Sequence, residues 1–231
     1  MRFICCSILL LISTVSASEP PALLPAPTRL VLQHGEFDFT SGFSIDAPDN
    51  ILLKQATERF VRRLALQTGG DIADMPQKTL RVKVTAARQN NIPAVQMNEQ
   101  YQLRISQHNI ELEAITETGV LRGLETLLQL EKNGKAPALQ LYDAPRFSWR
   151  GVLLDPARRF LPFPTLLRQL DIMAAVKLNV LHLHLTDDQG WRFEVLSYPL
   201  LNTIGSWRDS TLIGHFKDNP AQYDGTRYGG F

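Results

Sequence analysis

Apolar residues alternate with polar ones at every second position in three segments of the first half of the chain. Strands with this alternation have one buried face and one face exposed to solvent, as in an antiparallel sheet, so we predict an antiparallel sheet here. The apolar positions are Leu80, Val82 and Val84, then Tyr101, Leu103 and Ile105, then Ile110, Leu112 and Ala114.

Other segments of this half follow helical spacing and end at turn residues. Leu52, Ala56, Phe60 and Leu64 are four residues apart and precede Thr68-Gly69-Gly70, which predicts a helix with one buried face. Residues 29–145 are thus predicted to form a small α+β domain. Its further elements are a helix from Asn50 to about Gln67 with Asp49 as cap, a helix from about Glu117 to Lys132, and a strand from Pro137 to Asp143.

The pattern changes at Arg146. Gly151 to Leu154 and Val180 to Leu185 are nearly continuous apolar runs, as expected of parallel strands covered on both faces. Pro164 to Lys177 between them has helical spacing, with Pro164 tolerated in the first turn. A strand, a helix and a strand form the repeat unit of a parallel α/β fold, which we predict for residues 146–231.

The first 28 residues contain two different segments. Residues 1–17 combine Arg2 with an apolar run and a small-residue end at Val15-Ser16-Ala17, typical of a secretory signal peptide cleaved near Ala17. Residues 18–28 form a proline-rich lead-in. We therefore predict an exported protein, periplasmic or extracellular, without a stable membrane anchor.

Composition narrows the choice of partners. The 231 residues include 24 Lys and Arg and 23 Asp and Glu, and loss of Arg2 with the leader leaves equal numbers. Nothing suggests the basic face required for nucleic-acid binding, so a neutral substrate is expected. Cys5 and Cys6 are the only cysteines, so no disulfide or cysteine-ligated metal is expected in the mature chain.

Charged residues follow both predicted parallel strands. In parallel barrels the reactive side chains lie at these carboxyl ends. Arg158 follows the first strand and offers a planar fork of donors for two oxygens; an ion pair with Asp155 or Asp187 is the equally weighted alternative. Asp187 and Asp188 follow the second strand, where they could cap a helix, orient an imidazole or bind a substrate amide.

Histidine and tryptophan suggest two further kinds of site. His182 and His184 share one side of a strand and, with Asp187, resemble the start of a metal site in metal-dependent barrel hydrolases. Further ligands are scarce, and packing or hydrogen bonding is the favoured role. Trp149, Trp191 and Trp207 could stack on sugars, but core packing is favoured for each.

Six patterns follow one another in the C-terminal half of the chain. They are Trp149-Arg150-Gly151, Asp155-x-x-Arg158-x-Phe160, Lys177-Leu178-Asn179, His182-x-His184-Leu185-Thr186-Asp187-Asp188, Tyr198 to Leu200 and Gly205-x-Trp207-Arg208. Together these patterns resemble glycoside hydrolase family 20, the exported β-N-acetylhexosaminidases. The α+β domain, including Gly119 to Leu130, also resembles the domain that precedes the barrel in this family.

The resemblance implies a function for two positions. Arg158 matches the arginine that binds hydroxyls of the terminal N-acetylhexosamine, and Asp187 matches the aspartate that supports a catalytic histidine. The implied reaction releases terminal N-acetylhexosamine from oligosaccharides or glycoconjugates with retention, the substrate's own acetamido oxygen attacking the anomeric carbon. No cofactor or metal is implied. Arg159 stands where the family usually has His.

The family's orienting aspartate and acidic glutamate come from a later strand, and no matching Asp-Glu pattern occurs before Phe231. Residues 146–231 supply two strands, whereas a closed (β/α)8 TIM barrel needs about 250 residues. We therefore expect a truncated catalytic domain that is inactive alone. The alternatives are a metal-dependent hydrolase using His182 and His184, and a non-catalytic sugar-binding remnant.

Overall fold

The computed structural model describes residues 20–75, 77–86, 94–215 and 217–231. The predicted signal peptide, residues 1–17, lies outside the described residues. In the part of the chain that is described, no helix is both long and apolar enough to cross a membrane.

The N-terminal part is a six-stranded sheet with two helices. The strand order is β1-β6-β4-β5-β3-β2. The strands are β1 (Arg29–Asp38), β2 (Ser44–Asp46), β3 (Thr79–Val84), β4 (Tyr101–Ile105), β5 (Asn109–Ala114) and β6 (Lys135–Asp143), and the helices are α1 (Ile51–Thr68) and α2 (Glu117–Leu130).

The prediction of an antiparallel sheet is wrong for two of the five ladders that join the described strands of this sheet. β3 runs parallel to both β2 and β5, while β4 is antiparallel to β5 and β6. The burial of β3, β4 and β5 does alternate along the strands. Alternation reports that one face is covered and carries no information on strand direction, which here follows from the α1 crossover between β2 and β3.

Both predicted helices form, with small changes at their ends. The N-cap of α1 is Asn50 rather than Asp49, because Asn50 Oδ1 accepts from the backbone N–H of Leu52 at 2.9 Å. That bond satisfies one of the orphan amides of the first turn. α2 ends at Leu130, two residues early, because Lys132 pairs with Lys135 across a tight turn at Asn133 and Gly134, both with positive φ.

The core lies between this sheet and its helices. Phe37, Phe39 and Phe43 meet edge to face at centroid distances of 5.1 to 5.9 Å, a favoured aromatic geometry. α2 approaches the sheet closely at Gly123, where an added Cβ would overlap the side chain of Leu112. A glycine is needed there for close approach.

The C-terminal part begins with the predicted strand, helix and strand. β7 (Gly151–Leu154) runs parallel to β8 (Val180–Leu183), in register from Gly151 opposite Val180 to Leu154 opposite Leu183, and α3 (Phe163–Ala175) connects them. The second strand ends two residues earlier than predicted.

The expectation that both faces of these strands are covered is wrong for the chain described. Leu153 is 59% exposed and its register partner His182 is also exposed. The core prediction also fails for Trp149 and Trp207, which are 64% and 41% exposed. The described neighbours of β7 and β8 are too few to enclose these side chains.

Short ladders and one helical turn follow β8. They are β9 (Thr186–Asp187) with β10 (Gly190–Trp191), α4 (Leu200–Thr203), β11 (Trp207–Arg208) with β14 (Tyr228–Gly229), and β12 (Leu212–Ile213) with β13 (Gln222–Tyr223).

Candidate functional site

Arg158 is held by a turn that follows β7 directly. Its backbone N–H donates to Asp155 Oδ1 at 3.0 Å, and its guanidinium donates to Asp155 Oδ2. The turn is also tied to the second strand, because the backbone N–H of Ala157 donates to the carbonyl of His184 at 3.1 Å. Asp155 therefore fixes both the backbone and the side chain of Arg158.

Asp187 joins Arg158 from the end of the second strand. Its Oδ2 accepts from Arg158 Nη2 at 2.8 Å and lies 2.9 Å from His184 Nε2, while its Oδ1 accepts from the backbone N–H of Asp188 at 2.8 Å. The two predicted site residues therefore meet. The ion-pair alternative is also realised, with both Asp155 and Asp187.

This pairing leaves Arg158 accessible. Its side chain is 55% exposed, whereas those of Asp155 and Asp187 are about half as exposed. A guanidinium has five N–H donors in one plane, and two of its donors are used here on carboxylates. The site can therefore present further donors to the oxygen atoms of a ligand.

The charges favour ionised carboxylates. The amide of Asp188 is the largest cause that lowers the pKa of Asp187, with smaller contributions from Arg158 and His184. For Asp155, burial would raise the pKa, but the amide and guanidinium of Arg158 outweigh it and hold the pKa below its usual value. Asp155 in turn raises the pKa of Arg158. Each group stabilises the charged form of the other.

Two arginines behind the site position its turn, and sequence reasoning assigned them no role. Arg192 is buried and donates to the carbonyls of Pro156 at 2.7 Å and Ala157 at 3.0 Å. Arg208 donates to the carbonyl of Arg158 at 2.7 Å. The lone charge of Arg192 between Trp191 and Phe193 was the available signal, since a buried arginine needs acceptors.

The structure places the paired histidines in different surroundings. His182 is exposed on β8, whereas His184 lies just beyond it and pairs with Asp187. Among the residues that the structure describes, no group of three or more His, Cys, Asp or Glu side chains could hold a metal ion. The favoured hydrogen-bonding role is observed for His184.

Two family models match the chain in succession. The model described as glycosyl hydrolase family 20, domain 2, matches residues 20–144, and the model of the family 20 catalytic domain matches residues 147–228. These matches place the chain among the glycoside hydrolases.

The chain belongs to glycosyl hydrolase family 20. A β-hexosaminidase of Vibrio furnissii is 34% identical over 195 residues, covering 81% of this chain and 30% of that protein.

Solved structures agree with this membership. A chitobiase of Flavobacterium johnsoniae is 35% identical with a TM-score of 0.66, over 78% of this chain and 29% of that one. An exo-β-N-acetylglucosaminidase of Vibrio harveyi, solved in complex with N-acetylglucosamine, is 29% identical with a TM-score of 0.69, over 90% of this chain and 32% of that one. The chain thus spans about a third of the length of these relatives.

Proposed function

We propose that this chain is the front part of a β-N-acetylhexosaminidase that removes terminal N-acetylhexosamine from β-glycosides. The observation that carries the proposal is the contact between Arg158 and Asp187 at the ends of consecutive parallel strands. The V. harveyi relative bound to N-acetylglucosamine supports the choice of an aminosugar. The mechanism implied by the family is retaining and substrate-assisted.

Arg158 serves as the sugar-binding residue in this proposal. Its exposed guanidinium, braced by Asp155 and Asp187, offers donors to neighbouring sugar hydroxyls in a fixed plane. A braced fork binds two oxygens with little further loss of side-chain entropy. This geometry favours a pyranose with adjacent hydroxyls over a ligand with one isolated oxygen.

Asp187 serves as the support for a catalytic histidine. Arg158, His184 and the amide of Asp188 already contact its two oxygens. A carboxylate has about four lone-pair sites, so one acceptor position is left for an incoming imidazole. The proposed role therefore fits the capacity of Asp187, with the histidine, the orienting aspartate and the acid supplied by residues outside this chain.

We further propose that β7, α3 and β8 begin a (β/α)8 barrel and that residues 29–145 and 146–231 belong to separate domains. The parallel pairing of β7 and β8 and their exposed side chains support a barrel whose other strands cover them. Export after cleavage near Ala17 is part of the same proposal, and amino-terminal sequencing of the secreted protein tests it by reading Ser18 as the first residue.

The experiment that tests the function is an assay of the full-length gene product on 4-nitrophenyl N-acetyl-β-glucosaminide. The expected result is release of nitrophenol by the full-length protein and none by the 231-residue chain. Turnover by the chain alone would overturn the assignment of the acid to residues outside it. A full-length product that is folded but cleaves no aminosugar glycoside would overturn the function itself.

A further inference from the structure

Glu99 is a buried carboxylate outside the candidate site. It lies just before β4 in the N-terminal part and is 5% exposed. Its Oε2 accepts from Arg122 Nε at 2.6 Å, a contact with α2 of the same part of the chain. A charge buried this deeply persists only with close partners, and the remaining partners of Glu99 come from the C-terminal part.

Those remaining partners are the residues that directly precede the two parallel strands. Glu99 Oε2 also accepts from Arg150 Nη2 at 2.5 Å, and Glu99 Oε1 accepts from Asn179 Nδ2 at 3.1 Å. Arg150 is followed at once by β7, and Asn179 by β8. One carboxylate therefore bonds to the starting points of both strands.

Arg150 and Asn179 are also bonded to each other. The backbone N–H of Arg150 donates to Asn179 Oδ1 at 2.9 Å, and the backbone N–H of Asn179 donates to the carbonyl of Arg150 at 2.9 Å. The next pair along the strands is Gly151 opposite Val180, the first of the parallel register. The Glu99 contacts thus lie where that register is set.

The candidate site lies at the other end of the same strands. Each strand has four residues, so the two ends are about 13 Å apart at roughly 3.3 Å per residue. A slip of one residue would move one strand by about 3.3 Å and turn its side chains to the opposite face. The 2.8 Å contact of Arg158 with Asp187 would not survive such a slip.

We propose that Glu99 is a positioning residue that fixes the register of β7 and β8 and, through it, the relative placement of Arg158 and Asp187. The consequence for catalysis rests on the proposed function, whereas the consequence for strand register does not. The N-terminal part thereby aligns an arginine that lies at the opposite end of the parallel strands.

Glu125 provides a matched control. It is also buried, at 2% exposure, and pairs with two guanidinium groups, those of Arg59 and Arg63. All three residues belong to α1 and α2, so the hydrogen bonds of Glu125 join these two helices to each other and not to the starts of the parallel strands. Glu99→Gln and Glu125→Gln therefore remove the same charge from similar surroundings, and only the first variant disturbs the strand starts.

The first measurement is amide hydrogen exchange on the 231-residue chain. Glu99→Gln is expected to speed exchange in β7 and β8 by about tenfold or more, whereas Glu125→Gln leaves exchange there within about twofold of the original chain. Equal exchange in β7 and β8 for both variants would overturn the proposal. If Glu99→Gln does not fold, Glu99→Asp keeps the charge but shortens the side chain by one methylene, which withdraws the carboxylate from Arg150 and Asn179. It is judged by the same criterion, with Glu125→Asp as its control.

The second measurement is steady-state kinetics of the full-length protein. Glu99→Gln is expected to raise KM for the chromogenic aminosugar by about fivefold or more, with a smaller fall in kcat, because Arg158 binds the sugar. Glu125→Gln is expected to change neither KM nor kcat by more than about twofold. An unchanged KM with intact folding would overturn the positioning role. Absence of turnover in the original protein would instead overturn the proposed function, and the exchange measurement still decides the role of Glu99.

Discussion

Arg158 Nη2 lies 2.8 Å from Asp187 Oδ2, although 29 residues separate the two positions. The contact exists because each residue follows one of two adjacent parallel strands. It combines an exposed guanidinium with a carboxylate that its surroundings keep ionised.

Arg158→Lys in the full-length protein tests the need for a planar fork. A lysine keeps the charge but cannot bridge two carboxylates and two hydroxyls. We expect kcat/KM for the aminosugar substrate to fall by about 10- to 100-fold, corresponding to roughly 1.4 to 2.8 kcal/mol. The control is Arg159→Lys at the neighbouring exposed arginine. Its kcat/KM should stay within about threefold of the value for the original protein. Equal losses in both variants would contradict a specific role for Arg158.

The lowered pKa of Asp187 predicts a dependence of stability on pH. A carboxyl group whose folded pKa lies below its unfolded value, about 3.9, contributes stability that is present above that value and is lost as pH falls through the folded pKa. Asp187→Asn should therefore reduce the free energy of unfolding at pH 7 more than at pH 3. Urea unfolding of the 231-residue chain at both values measures this, and an equal reduction at both would contradict it.

A second buried ion pair predicts strong coupling between two mutations. Lys177 Nζ lies 3.0 Å from Asp143 Oδ2 and 2.9 Å from the Tyr101 hydroxyl, all three groups being buried. Burial lowers the pKa of Lys177, which the charge of Asp143 opposes. Asp143→Asn alone should lower the free energy of unfolding by about 3 kcal/mol or more, because it leaves the buried ammonium of Lys177 without a counter-charge.

The double variant Asp143→Asn, Lys177→Met completes that test. The double variant should lose less free energy of unfolding than the two single variants lose together, by about 1 kcal/mol or more, as measured by urea unfolding. Additive costs would mean that the pair does not interact across the boundary between β6 and the C-terminal part.

Gly123→Ala tests the close packing of α2 on the sheet. The new Cβ would overlap the side chain of Leu112, which is 1% exposed. We expect the free energy of unfolding to fall by about 1 to 3 kcal/mol. Tm should then fall by several degrees, at roughly 2 to 4 °C per kcal/mol for a chain of this length. Gly70→Ala, with open space around its Cβ position, should lower Tm by less. A Gly123→Ala variant as stable as Gly70→Ala would contradict the packing.

The sequence predicted the elements with strong periodicity and missed those without it. α1, α2, β7, α3 and β8 were found because their apolar spacing is regular. β1 was missed because its register shifts between Leu32 and Glu36, which interrupts the alternation. The parallel pairing of β3 was missed because an alternating pattern is the same in both strand directions.

The sequence likewise predicted some contacts of the candidate site and its surroundings and missed others. Arg158 and Asp187 could be placed together because parallel strands end on one side of their sheet. The contacts of Glu99 with Arg150 and Asn179 could not be predicted, since they join segments 51 and 80 residues apart that share no local pattern. The burial of Arg192 likewise depends on carbonyls from a distant turn.

The central claim is that Arg158, braced by Asp187, binds the terminal aminosugar. A crystal structure of the full-length protein with N-acetylglucosamine tests it most directly. The account predicts guanidinium nitrogens of Arg158 within about 3.2 Å of sugar hydroxyl oxygens, with the contact to Asp187 retained. A sugar bound elsewhere, with Arg158 more than about 6 Å from each of its oxygens and thus beyond direct contact, would contradict the account.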